Sequence, residues 1–210
     1  MHLLMISWEY PPHMEGGLGR HVLELLPALC QYPGMVIHLV TPRHSGGEAY
    51  EVFGNLFIHR VDAPLPVSDN IYGGAWHINN ILGQYIESLW EKVGGFDLIH
   101  AHDWLVSFVA TAVHRAYQAP LIVTFHATER GRNRGWLPNA LSRQIHDTEA
   151  ALAQTATRLI TVSNYMRNEV HSYFDVNLEK VRVIPNGVNT TIFDEQRAQA
   201  HLLERQLYAL

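Results

Sequence analysis

Short β-branched runs alternate with longer stretches at helical spacing along almost the whole chain, and this alternation limits the possible folds more than any single motif. It is the pattern of βαβ units, which lead to a parallel sheet with helices on both faces, a doubly wound α/β domain. Strands are predicted at residues 3–6, 35–40, 56–61, 97–100, 121–125, 158–162 and 181–184, with an excursion through residues 50–53. Between them, Val22, Leu25, Leu26 and Leu29 form one apolar helix face, and Ile78, Ile81, Leu82, Tyr85, Ile86 and Leu89 form a second. Further helices are predicted over 76–93, 105–117 and 165–173, and another around Leu141, Ile145 and Leu152. Gly94 and Gly95 read as a C-cap, and Ser163 and Asn164 as an N-cap.

Of 210 residues, 47% are hydrophobic, enough for one real core. A net charge of −5 leaves no basic stripe, so a nucleic-acid partner is not expected. The apolar runs are too short to span a bilayer, and no charged leader precedes the first strand, so neither a membrane segment nor a secretory signal is expected. Cys30 is the single cysteine; no internal disulfide can form, which fits a reducing, cytoplasmic setting and a buried structural thiol.

Three polar groupings fall at the carboxyl ends of predicted strands, where open parallel sheets collect ligands. Gly16-Gly17-Leu18-Gly19 opens the first helix, so its N–H groups and the helix dipole favour an anion such as a phosphate; a tight turn that binds nothing is the plainer alternative. His100, His102 and Asp103 follow the strand at 97–100, and His126 follows that at 121–125. At strand spacing His100 and His102 point the same way, which admits three readings: a polar ligand pocket, a metal site, or buried histidines satisfied by neighbouring loops. The segment Glu129-Arg130-Gly131-Arg132-Asn133-Arg134 could contact hydroxyls or phosphates, or be a solvated loop.

Taken in order, Trp8-Glu9-Tyr10-Pro11-Pro12, Gly16-Gly17-Leu18-Gly19-Arg20-His21, His100-Ala101-His102-Asp103-Trp104 and Thr124-Phe125-His126 resemble the motifs of the family-4 retaining glycosyltransferases, and most of all those of glycogen and starch synthases. Ile160-Thr161-Val162-Ser163 and Val183-Ile184-Pro185-Asn186-Gly187-Val188-Asn189 look like the family's serine strand and interdomain crossover. The resemblance implies a GT-B architecture, in which two Rossmann-like domains face a cleft. The N-terminal domain holds mainly the glycan acceptor and the C-terminal domain mainly the nucleotide-sugar donor, ADP-glucose, UDP-glucose or another. It implies no metal and no separate cofactor. By the same resemblance, Gly16 and Gly17 would approach the donor diphosphate, His126 and Asp103 would be catalytic, and Glu9, Tyr10, His102, Trp104 and Arg130 would contact acceptor or sugar. Residues 1–188 would form the acceptor-side domain and 189–210 a crossover remnant and an amphipathic helix, with the nucleotide-sugar domain absent.

The sequence departs from the glycogen-synthase pattern at Met14, where a lysine is usual, and at Asn189, where aspartate is usual. Three rival readings remain. A dinucleotide oxidoreductase lacks its Gly-x-Gly-x-x-Gly turn and the acidic residue after strand two, which ends instead in Thr41-Pro42-Arg43-His44. A metal-dependent hydrolase would use His100, His102, Asp103 and His126. A non-catalytic carbohydrate-binding module would use the same polar strand ends without turnover. No Gly-x-Ser-x-Gly elbow occurs.

Overall fold

The computed structural model describes residues 1–43, 46–64 and 70–187. His44, Val188, Asn189 and the helix expected over 194–210 lie outside the described residues. Eight strands form one sheet in the order β3-β4-β2-β1-β5-β6-β7-β8. These are β1 (His2–Ile6), β2 (Val36–Pro42), β3 (Tyr50–Phe53), β4 (Leu56–Val61), β5 (Leu98–His102), β6 (Leu121–Phe125), β7 (Arg158–Thr161) and β8 (Val181–Val183). All neighbours are parallel except β3, which closes the edge as an antiparallel hairpin on β4. The doubly wound α/β expectation therefore holds, with the excursion at 50–53 as a strand in its own right.

The helices are α1 (Gly17–Leu29), α2 (Ile71–Val93), α3 (Ser107–Tyr117), α4 (Glu129–Arg132), α5 (Ala140–Thr155) and α6 (Asn164–Phe174). Strand alternation sorts the side chains by face. Leu3 and Met5 pack with Val22 and Leu26 of α1, whereas Leu4 and Ile6 join Ile78, Leu82, Val109, Leu152 and Val170 of α2, α3, α5 and α6. Ile78, Leu82 and Ile86 of α2 are fully buried, each worth about 1.5–3 kcal/mol relative to exposure.

The caps follow from side-chain chemistry. Asn70 accepts from the Gly73 N–H and starts α2 five residues before the predicted onset, and Ser163 accepts from the Met166 N–H to start α6. Gly94 ends α2 at φ 81°, a left-handed conformation that a Cβ would strain. Buried Asn79 donates to the carbonyls of Ala75 and Leu105 and accepts from the Val109 N–H, so α2 fixes the turn that leaves β5. The predicted loop after β6 contains the one-turn helix α4, whose N-cap Thr128 accepts from the Gly131 N–H.

Candidate active site

The strand order reverses at β1, which is flanked by β2 on one side and β5 on the other. The crevice outside the carboxyl ends of β1 and β5 is thus the topological switch point, the place where open α/β sheets bind ligands. The turn after β1 is organised by Glu9. Its Oε2 accepts from the backbone N–H groups of Glu15, Gly16 and Gly19, at 3.1, 3.1 and 3.2 Å. A Cβ at Gly19 would meet Glu9 Oε2 and Met14 Cγ at 3.0 Å, so the third glycine is there for close packing. A Cβ at Gly16 or Gly17 would meet nothing within 4 Å. The two paired glycines are therefore not equivalent: the Gly16 N–H is spent on Glu9, while those of Gly17 and Leu18 have no partner among the described residues. They head a 13-residue helix with no acidic residue in its first turn, which leaves the positive end of its dipole open to an anion.

Beside this turn lie four histidines. Leu98 packs on the α1 side whereas Ile99 and Ala101 face the opposite core, so His100 and His102, in phase with Leu98, share the α1 face. Nε2 of His100 pairs with the Thr124 hydroxyl at 2.8 Å, and Nδ1 of His102 lies 3.2 Å from Nε2 of His126. From α1, His21 brings its ring to 4.7 Å from that of His126 and 5.6 Å from that of His102, centroid to centroid. Its Nδ1 is 3.0 Å from Oδ1 of Asn186 in the segment after β8. Burial lowers the pKa of all four, to about 3 at His100, about 4 at His126 and well below the ordinary value at His102; neighbouring imidazoles add to the effect at His100, His102 and His21. At neutral pH the cluster is uncharged, suited to exchanging hydrogen bonds with hydroxyl groups. His102 is fully buried and its Nε2 has no partner among the described residues, whereas His126 is partly exposed.

Asp103 does not project freely into this cluster. It is 4% exposed, has φ +58°, and its Oδ1 accepts from the His126 backbone N–H at 2.7 Å. Burial pushes its carboxyl up to about 6 against the opposing effect of that bond. The Tyr10 ring is half-buried beside the α1-side core, with the Arg60 guanidinium 5.6 Å from its centroid. Trp104 is 3% exposed and stacks on Tyr72 within the core, so its indole serves packing and is not presented at the strand-end surface. The Arg130 guanidinium lies 5.1 Å from the Tyr173 ring, and its Nε has no partner among the described residues.

The structure thus brings together the glycine turn, His102 and His126, with Asp103 behind them. The metal-hydrolase set does not converge: the group of possible ligands found among the described residues is His21, His102 and His126, whose nitrogens lie within 4.8 Å of one another. His100 is turned to Thr124 and Asp103 to the backbone of His126. Sequence reasoning assigned no role to His21, Asn186 or Glu149. The signal for His21 was its place one turn after Gly17, because helical side chains lean toward the helix N-terminus. Nothing in the sequence pairs Asn186 or Glu149 with its partner.

A mostly parallel sheet with a phosphate-competent glycine turn and a neutral histidine cluster at its switch point has the architecture of one half of a GT-B glycosyltransferase. Solved structures share the fold. The catalytic domain of starch synthase IV from Arabidopsis thaliana, bound to ADP and acarbose, superposes with a TM-score of 0.66 at 18% identity over 92% of this chain and 53% of that one. Sucrose-phosphate synthase from Thermosynechococcus elongatus gives 0.73 at 18% identity over 95% and 52%. The chain belongs to glycosyltransferase family 4, whose family model matches residues 15–192. It is 36% identical to a glycogen synthase of Mycobacterium tuberculosis over 203 residues, covering 90% of this chain and 49% of that protein. It is 25% identical to an alpha-maltose-1-phosphate synthase of Mycolicibacterium smegmatis, over 92% and 46%. The chain spans about half the length of these relatives. Among the described residues no helix is long and apolar enough to cross a membrane.

Proposed function

We propose that this chain forms the acceptor-side half of a retaining glycosyltransferase. The enzyme would move a sugar, glucose in the simplest case, from a nucleoside-diphosphate sugar to a glycan. The observation that carries this reading is the meeting, at one switch point, of open N–H groups at the head of α1 with the neutral imidazole of His126. Loss of a nucleoside diphosphate places negative charge on the leaving phosphate oxygens, and fixed N–H dipoles at a helix N-terminus stabilise that charge without reorganising. Gly17 and Leu18 would supply those donors, and Gly16, whose N–H is held by Glu9, would shape the turn. A neutral His126 would exchange a hydrogen bond with a hydroxyl of the transferred sugar and fix its orientation. Tyr10 and Arg130 would border the acceptor, and Glu9, Asp103 and His102 would act through the groups they hold.

The donor's nucleoside and much of its sugar would be bound by a second domain. The chemistry proposed here requires no metal, since the diphosphate charge is met by backbone N–H groups. The test is transfer from ADP-glucose and UDP-glucose to maltooligosaccharides by an enzyme containing this chain together with a nucleotide-sugar domain, with the product's anomeric configuration read by NMR. Retained configuration supports the reading. Robust transfer by the 210 residues alone would overturn the half-enzyme assignment.

A further inference from the structure

The loop that carries His126 runs directly from β6 into α4 and is held from beneath by two buried carboxyl groups. At its start, Asp103 accepts from the N–H of His126 at 2.7 Å. Three residues on, Glu149 of α5 turns both carboxyl oxygens to the N–H of Glu129, at 2.8 and 3.0 Å. Between these points the Thr128 hydroxyl, also buried, caps α4. Glu149 has no exposed surface and lies on the helix behind the loop, so it has no route to a substrate in the crevice. Burial of a carboxyl at this depth is costly unless its hydrogen bonds are worth more than the desolvation, yet among the described residues it accepts from a single backbone N–H.

We infer that Glu149 is a positioning residue which, with Asp103, clamps the backbone of residues 126–129 and so sets where the His126 imidazole sits. Asp103 alone fixes the loop at one end and leaves it free to pivot about that point. A second anchor three residues away removes the pivot, and with it the freedom of the imidazole to leave the ring of His102, 5.5 Å away centroid to centroid. Catalytic geometry tolerates little displacement, because misplacement by about 1 Å can cost on the order of a hundredfold in rate. The role in turnover rests on the glycosyltransferase reading of His126; the clamp itself does not.

The test compares Glu149→Gln, which keeps an acceptor oxygen, with Glu149→Met, which keeps the length and removes it. In Glu149→Met, amide exchange at Glu129 should speed by about twofold to tenfold, the loss expected for a hydrogen bond to an uncharged carboxyl group. The ring resonances of His126 and His102 should move while those of His38 and His59, elsewhere in the sheet, stay in place. Glu149→Gln should restore most of the wild-type pattern, which general destabilisation of the core would not predict. If Glu149→Met does not fold, Glu149→Asp withdraws the carboxyl by one methylene and should give the same shifts. In an enzyme that also contains the nucleotide-sugar domain, kcat should fall by about tenfold or more, with KM for the donor little changed. Unchanged exchange at Glu129, or an unmoved His126 ring, overturns the clamp. Moved rings with unchanged kcat overturn the positioning role. A wild-type enzyme that transfers no sugar fails the glycosyltransferase reading, and the amide exchange then decides the clamp by itself.

Discussion

Two histidine clusters lie in this one sheet, and they put the same side chain to different uses. At the carboxyl ends of β5 and β6, His100, His102 and His126 meet His21 of α1; under α2, His38 of β2 and His59 of β4 form a second group. Burial lowers the pKa in both, to about 4 at His38 and His59 just as at His126. In the second group the ring nitrogens of His59 are both committed, to Nδ1 of His38 at 3.0 Å and to the Tyr85 hydroxyl at 2.8 Å, and Phe57 and Phe96 close over His38. In the first, Nε2 of His102 has no partner among the described residues and His126 reaches the surface beside an open helix N-terminus. A depressed histidine pKa therefore does not distinguish a core network from a site. Unspent hydrogen-bonding capacity beside accessible space does.

The largest effect that would break this comparison is kinetic. In an enzyme containing this chain, His126→Ala should lower kcat by on the order of a hundredfold or more, the usual cost of removing a group that stabilises the reacting centre, and should weaken acceptor binding far less. His59→Phe, in the more deeply buried group, should leave kcat and KM almost unchanged while lowering stability by about 1–3 kcal/mol, because it removes the partner of the Tyr85 hydroxyl and of a nitrogen of His38. Steady-state kinetics and urea unfolding of the two variants test the contrast. Equal kinetic loss in both would erase it.

The next effect is on stability against pH, where the histidines and the buried carboxyls pull in opposite directions. His38 and His59 have folded pKa values near 4, below the ordinary 6.5, so the unfolded chain takes up protons first as the medium is acidified. Their contribution is complete above pH 6.5 and is lost as pH falls toward 4, by at most about 3.5 kcal/mol for each, since one pKa unit corresponds to about 1.4 kcal/mol. Glu149 behaves inversely. Burial raises its folded pKa to about 8 from the ordinary 4.5, so its contribution is present below pH 4.5 and lost as pH rises through 8. Thermal unfolding should be cooperative, with an acid limb flattened by His59→Phe and the decline between pH 6.5 and 8 flattened by Glu149→Gln. A limb unmoved by its variant would remove that group from the account.

How far the sequence alone revealed this arrangement depended on how local each cause was. The helices, the parallel strands and the glycine turn were legible because periodicity, β-branching and capping residues act within a few positions, as with Gly94 and Ser163. Grouping His102 with His126 was within reach, since both follow predicted strands. The partners that decide each role were not, because they lie far away in sequence: Glu149 is 20 residues from Glu129, Asn186 is 165 from His21, and Asp103 is 23 from the N–H it holds. Trp104 shows the reverse case: its place in the family's motif implied a sugar contact, but the turn at 104–106 packs the indole in the core against Tyr72. Glu9 likewise follows its motif into the site, and its carboxylate Oε2 is taken up by the turn.

Metal content sharpens the comparison by a smaller step. His21, His102 and His126 could gather an ion, whereas His59 has both nitrogens engaged. The proposed chemistry needs no metal, so purified protein should hold no stoichiometric zinc or manganese by elemental analysis. Either metal retained after mild chelation, and lost in His21→Ala, would bring back hydrolysis by a metal-bound water in a form built on His21 instead of His100 and Asp103.

The smallest effect is binding by the chain itself. An acceptor-side half should take up maltooligosaccharides weakly, because without a facing domain the sugar loses hydration on one side only and little surface is buried. Titration followed by NMR should therefore give fast-exchange shifts that saturate, if at all, only at millimolar sugar, which corresponds to about −4 kcal/mol. Those shifts should fall on the strand-end side, at residues around His126, Tyr10 and Arg130, and should spare His38, His59 and Tyr85. His126→Ala should change the pattern little, since its proposed bond serves the transferred sugar, whereas Asp103→Ala should disturb it by releasing the loop that starts at His126. Shifts spread over both histidine clusters would mean that the sugar is recognised by neither, and the acceptor-side assignment would then lose its footing even if the complete enzyme transfers glucose.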